Sequence, residues 1–157
     1  TGVDAVIMAD CSLCPIHPKT KEAFYTYVAK HSKTIRKSKA EPILFMTWGY
    51  KNKPRMYKEL KKEFLRAANL NNLIVIPAGE AFDLGNKLHP EINLYTSDNR
   101  HPSEEGTYLA ASVVFATIFG HRTEGNKGVG NIEPSVAIKL QRLADKTVSE
   151  FFNLQLK

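Results

Sequence analysis

Apolar and polar positions along this chain alternate between two periods. Residues 3–9 form an apolar run that ends in Asp10-Cys-Ser, the pattern of a buried strand. Phe24, Tyr27, Val28, His31 and Ile35 then recur at i, i+3, i+4, i+7 and i+11, one face of an amphipathic helix. Residues 42–47 (Pro-Ile-Leu-Phe-Met-Thr) predict a second buried strand. Tyr57, Leu60, Phe64 and Ala68 mark a second helix, entered through Pro54. Residues 73–76 (Leu-Ile-Val-Ile) predict a third strand, stopped by Pro77, with a loop from there to about residue 98. A third helix is expected over 104–119, closed by Gly120 at a C′ position. Residues 121–133 are glycine-rich and read as a loop. A final helix over 134–154 carries Val136, Leu140, Leu143, Val148 and Phe151 on its apolar positions.

Strands alternating with helices predict an α/β fold with a parallel sheet. Continuous apolar strands imply burial on both faces, and hence helices on both sides of the sheet in a three-layer sandwich. In such sheets ligands bind beyond the carboxyl ends of the strands. Three segments would meet there: 10–14, 48–52 and 98–101.

The length of 157 residues, 43% of them hydrophobic, fits one domain over residues 1–157 with a real core. No apolar run is long enough to span a bilayer, and no signal peptide opens the chain. The sequence starts at Thr1 without Met and reads like a fragment or a processed form. The net charge is +6, concentrated in 30–39 and 51–66. Without aromatic interleaving or a nucleic-acid motif, these basic stretches read as solvated helix faces, and no nucleic acid is expected as a partner.

The chemistry concentrates in Asp98-Asn-Arg-His101-Pro-Ser-Glu-Glu-Gly106. Pro102 disfavours the α region at His101, so the histidine sits on extended or turn backbone. Ser103 is placed to N-cap the following helix, with Glu104 and Glu105 on its first turn. A histidine on a loop with a carboxylate three residues away suits a general base. The competing description is a capped loop with a solvated histidine.

A second constellation is Cys11-Ser-Leu-Cys14-Pro15. Between a strand and a helix, Cys-x-x-Cys is the spacing of a thioredoxin-like redox motif, and a helix N-terminus would lower the first thiol's pKa. His17 adds a hint of zinc, but no convincing fourth ligand is near. Two structural loop cysteines, or a local disulfide, is the plainer account. Trp48 ends the second strand and is expected either to line a pocket or to close the sheet over its helices. His31 is expected to pack on a helix's apolar face. Asp83 is expected to be a turn residue near the site's face.

The wording Asp98-x-x-His101-Pro-Ser-x-x-Gly106-x-x-Leu109-Ala-Ala resembles the last conserved block of the SGNH (GDSL-type) hydrolases. The resemblance is specific over residues 94–120 and weak elsewhere. It implies an SGNH/flavodoxin-like sheet and a Ser-His-Asp triad in which His101 is the base and Asp98 its orienting carboxylate. The chain contains no Gly-Asp-Ser or Gly-Asn-Ser. Matched backwards from the block, the three strands resemble the family's third, fourth and fifth. The first two strands and the nucleophile would then lie upstream of Thr1.

The family's Gly-x-Asn-Asp block would fall on Ala9-Asp10-Cys11-Ser12. This puts Cys11 where the oxyanion-hole Asn is expected, and a thiol is a poor donor beside an amide. Backbone N–H groups or an upstream residue would then serve. Ser12, on a strand-to-helix turn, is a further oxyanion, pocket or nucleophile candidate, though one connection late for the family.

The resemblance implies an esterase acting on an acylated or carbohydrate-linked ester, needing no metal or organic cofactor. Its partners would be a small-molecule or glycan ester and an upstream segment or second chain that completes the sheet. The resemblance favours a secreted or periplasmic setting. The alternatives are a noncatalytic SGNH-derived binding or assembly subunit, and a thiol oxidoreductase using Cys11 and Cys14.

Overall fold

Among the described residues five helices and three strands form, because helical and strand periods alternate along the chain. The computed structural model describes residues 2–157. The order is β1 (Ala5–Met8), α1 (Lys21–Lys37), β2 (Glu41–Phe45), α2 (Met56–Asn71), β3 (Ile74–Ile76), α3 (Ala78–Leu88), α4 (Glu104–Phe119) and α5 (Pro134–Phe152). Among the described residues the strands make one parallel sheet in the order β1-β2-β3, with Ile7 opposite Ile43 and Ile43 opposite Ile74.

The pleat sends successive side chains to opposite faces, and β2 shows this directly. Ile43 and Phe45 pack with Ile76 against α3, α4 and α5. Leu44 and Met46 pack with Val75 against α1 and α2. The result is an α/β/α sandwich with a separate core on each side of the sheet. No described helix is long and apolar enough to cross a membrane.

Helix α4 begins and ends as its sequence predicts. Ser103 Oγ accepts the N–H of Gly106 at 3.1 Å, and Gly120 closes the helix at φ 64°. Such a cap contributes about 1 kcal/mol. Gly106 is required by packing, since a Cβ there would lie 2.2 Å from the carbonyl oxygen of Leu94. The final helix stops at Phe152, two residues short of expectation, because Asn153 adopts the left-handed region at φ 51°.

Helix α3 replaces the loop expected after Pro77. Its buried residues Ala78, Ala81, Phe82 and Gly85 do follow helical spacing. The helix is hard to read because Gly79 and Gly85 each lower helix propensity by about 1 kcal/mol relative to Ala. Both glycines are there for tertiary reasons. A Cβ on Gly79 would stand 2.3 Å from the carbonyl oxygen of Thr47, and one on Gly85 would meet Leu94 and Leu143 at 2.9 and 3.0 Å. Asp83 accordingly lies on a helix rather than in a turn, where it holds Lys87 at 2.5 Å.

The apolar face of α1 is narrower than its periodicity predicts. Phe24, Val28 and Ser32 are buried, and the Ser32 hydroxyl donates to the Val28 carbonyl at 2.6 Å. His31 is exposed and stacks on Tyr27, itself 55% exposed, at 6.0 Å between rings. Both border an apolar groove of about 300 Å³ between α1 and the β1 segment. Ile7 of β1 is 43% exposed beside no further described strand.

Candidate functional site: the Asp98–His101 turn

Residues 95–102 close on themselves before α4 begins. Tyr95 and Pro102 form an isolated antiparallel bridge, and the N–H of Thr96 donates to the His101 carbonyl at 2.9 Å. Asn99 adopts φ 60°, a conformation that asparagine tolerates better than most residues. Asp98 fills the loop from within. Its Oδ1 accepts the backbone N–H groups of Arg100 and His101 at 2.8 and 2.9 Å and the Thr96 hydroxyl at 2.8 Å. Its Oδ2 lies 2.5 Å from His101 Nδ1.

These donors fix the charge on Asp98. The His101 ring contributes most, followed by the N–H groups of His101 and Arg100 and the Thr96 hydroxyl, and together they hold the carboxyl far below the ordinary aspartate range. A carboxylate bonded to Nδ1 sets the ring's orientation and leaves Nε2 as the nitrogen able to accept a proton. Among the described residues no hydrogen bond engages His101 Nε2, and the ring is exposed.

The turn hangs from the end of β2. The indole N–H of Trp48 donates to the Arg100 carbonyl at 2.9 Å, and the N–H of Lys51 donates to the Asn99 carbonyl at 3.0 Å. Trp48 is held in turn by stacking on Phe82 of α3, 4.3 Å between ring centroids and 11° between planes. Trp48 therefore closes the sheet over α3 and positions the turn. Closing the sheet over a helix is one of the two sequence expectations for Trp48; its bond to the turn is not. Thr96 escaped it altogether; its one signal is a hydroxyl two residues before Asp98.

Of the three segments expected to meet, 48–52 and 98–101 are joined by these bonds. Among the described residues no hydrogen bond links 10–14 to either. Cys11 and Cys14 form a disulfide, so Cys11 has no S–H to donate. Its Sγ instead accepts the N–H of Cys14 at 3.0 Å. Turns occupy 12–20 and α1 starts only at Lys21. The helix N-terminus that would lower a thiol pKa is thus absent from Cys11, contrary to the expectation from spacing. Ser12 is half-buried on the first of these turns. Asp10, Cys11 and Cys14 bring an oxygen and two sulfurs within 4.8 Å of one another, but the sulfurs are bonded to each other. Nδ1 of His17 accepts the N–H of Lys19 at 3.2 Å.

No protein-family model matches the chain, and no curated protein matches it. Two solved structures resemble it. One is a DUF4886 family protein from Bacteroides uniformis, at a TM-score of 0.76 and 19% identity over 98% of this chain. The other is a candidate SGNH hydrolase from Slackia heliotrinireducens, at a TM-score of 0.65 and 25% identity over 74% of this chain. The chain spans 64% of the first protein and 66% of the second. Parallel strands between two helical layers, with these neighbours, define an SGNH-like α/β fold.

Proposed function

We propose that this chain carries the base-and-orienter half of a serine-type ester hydrolase of the SGNH class. The observation that carries this reading is the 2.5 Å contact between His101 Nδ1 and Asp98 Oδ2 on an exposed turn beyond the end of β2. The nucleophile is a serine supplied by an upstream segment that adds strands beside β1. The exposed apolar side chains of Val3 and Ile7 support that addition, since an unpaired apolar edge is a strand-pairing site. His101 Nε2 takes the serine proton as Oγ bonds to the acyl carbon, then returns it to the leaving alcohol as the ester C–O bond breaks. Water repeats the cycle to release the acid. Asp98 stabilises the imidazolium formed at each stage. The substrate is an acylated or carbohydrate-linked ester.

The test is His101→Ala in the full-length protein. Hydrolysis of a p-nitrophenyl ester should fall on the order of 10³-fold, because base and nucleophile act as a unit. Undiminished turnover in a folded variant removes His101 from the mechanism. A second reading, a noncatalytic SGNH-derived binding subunit, is favoured by the disulfide that occupies the position of the family's oxyanion Asn. Full-length protein in which no serine reacts with a fluorophosphonate, and which hydrolyses no ester, would decide for it.

A further inference from the structure

Beside the His101 turn lies a cleft of about 310 Å³, between the segment that follows β2 and α3. Lys51, Lys53 and Lys87 line it against a single carboxylate, Asp83, and the half-buried Tyr50 gives it aromatic surface. That carboxylate is already held by Lys87 at 2.5 Å. Glu80, on the same helix, is held by Lys61 at 2.5 Å and by the Tyr57 hydroxyl. Lys51 Nζ donates to a neutral group, the Asn93 amide oxygen, at 2.7 Å. Lys53 Nζ stands 5.8 Å from the Tyr50 ring centroid, and the Arg100 guanidinium stands 5.2 Å from the same centroid. Two cations therefore flank one tyrosine ring, and neither they nor Lys51 is paired to a carboxylate among the described residues.

The cleft and the His101 turn share a wall. Tyr50 and Lys51 belong to both, because the N–H of Lys51 donates to Asn99 and Arg100 lies over Tyr50. The Tyr95 hydroxyl donates to the Gly49 carbonyl at 2.9 Å and locks the two sides together. A group held in this cleft would adjoin the turn that carries His101.

We propose that the cleft binds an anionic sugar unit of the ester substrate, carboxylated or sulfated. The unit's place in a substrate rests on the hydrolase reading; binding itself does not require it. The volume is at the lower end of small-ligand sites, roughly 300–1,000 Å³, and suits one ring. The half-buried Tyr50 ring takes the apolar C–H side of a pyranose. The cations without a carboxylate partner take the anion, and a concave wall with a net positive charge concentrates their field. A neutral sugar would cover Lys53 without pairing it, and so binds less well.

The test is protein-observed NMR on the full-length protein, titrated with D-glucuronate, D-glucose 6-sulfate and D-glucose. At least one anion should shift the amides of Tyr50, Lys51 and Lys53, with glucose roughly tenfold weaker or silent. The anion that binds identifies the acidic group. Lys53→Gln should weaken binding roughly fivefold, and about 0.5 M salt should do the same. Lys33→Gln removes the same charge from α1 and should change nothing. Silence with both anions, equal binding of glucose, shifts centred elsewhere, or an unaltered Lys53→Gln each overturns the proposal. The hydrolase reading fails separately, if ester hydrolysis survives His101→Ala.

Discussion

The Trp48 indole N–H and the Arg100 carbonyl meet at 2.9 Å across 52 residues of chain. That bond ties the turn bearing His101 to the end of β2, and α3 holds the indole by stacking. Trp48→Phe keeps an aromatic ring on Phe82 and removes the donor along with part of the indole's packing. An ordinary hydrogen bond contributes about 1 kcal/mol, so exchange of the Arg100 and His101 amides should quicken by about fivefold. On the proposed hydrolase reading, the loss in the full-length protein should appear in kcat more than in KM. Unchanged exchange at both amides would show that the turn holds itself without Trp48.

Asp98 should titrate well below the ordinary aspartate value, 3.8 in the absence of neighbours. A carboxyl 13C titration measures this. His101→Ala should raise the midpoint more than Thr96→Val, because the ring is the stronger of the two donors. A folded pKa below the unfolded one contributes stability above the unfolded value, and that contribution is lost as pH falls through the folded value. The turn should therefore stay ordered into the acid range. A midpoint near 3.8 in the native chain would contradict the geometry described.

Gly106→Ala should destabilise the fold. The new methyl would stand 2.2 Å from the Leu94 carbonyl oxygen, which is rigid backbone. Overpacking of this kind costs about 1–3 kcal/mol, against a gain of about 1 kcal/mol in helix propensity. A net loss near 1 kcal/mol lowers Tm by about 2–4 °C at this chain length. Gly128→Ala, whose Cβ would meet only a side-chain oxygen at 3.4 Å, should be nearly neutral. Equal Tm changes in the two variants would refute the packing argument.

These tests fall on features that differ in how far the sequence discloses them. The Asp98–His101 pair was legible because both residue types and their spacing are local, and Pro102 and Ser103 mark the start of α4. The three strands were legible as unbroken apolar runs, although β1, expected to be buried, is an edge strand among the described residues, with Ile7 43% exposed. Helix α3 was not, because Gly79 and Gly85 serve close packing at the expense of helix propensity. His31 was misplaced because periodicity shows a helix's apolar stripe but not which edge of it is covered. The Trp48–Arg100 bond left no trace, since a backbone carbonyl accepts from any donor and has no residue type to read.

Tyr25 offers a check on the opposite face of the sheet. Its hydroxyl donates to Glu63 at 2.5 Å, and its pKa is pushed up to about 12, first by burial and then by that carboxylate. The phenol, followed by 13C NMR, should titrate near there. Glu63→Gln should bring it down only part of the way to 10, because burial remains. The raised value contributes stability that is complete below pH 10 and gone once pH passes about 12. A midpoint at 10 in the native chain would count against the pairing.

Every hydrogen bond that Asp98 accepts comes from Thr96, Arg100 or His101. The pair is thus a self-contained cartridge, written in six consecutive residues and clipped to the rest of the protein through two backbone carbonyls. Damage elsewhere in the sheet would change how far this cartridge stands from whatever it serves, not how it is built inside. Two kinds of inactive variant should therefore separate cleanly. Those that scramble residues 96–101 lose the low Asp98 titration. Those that shift the sheet keep that titration while the chemistry is lost.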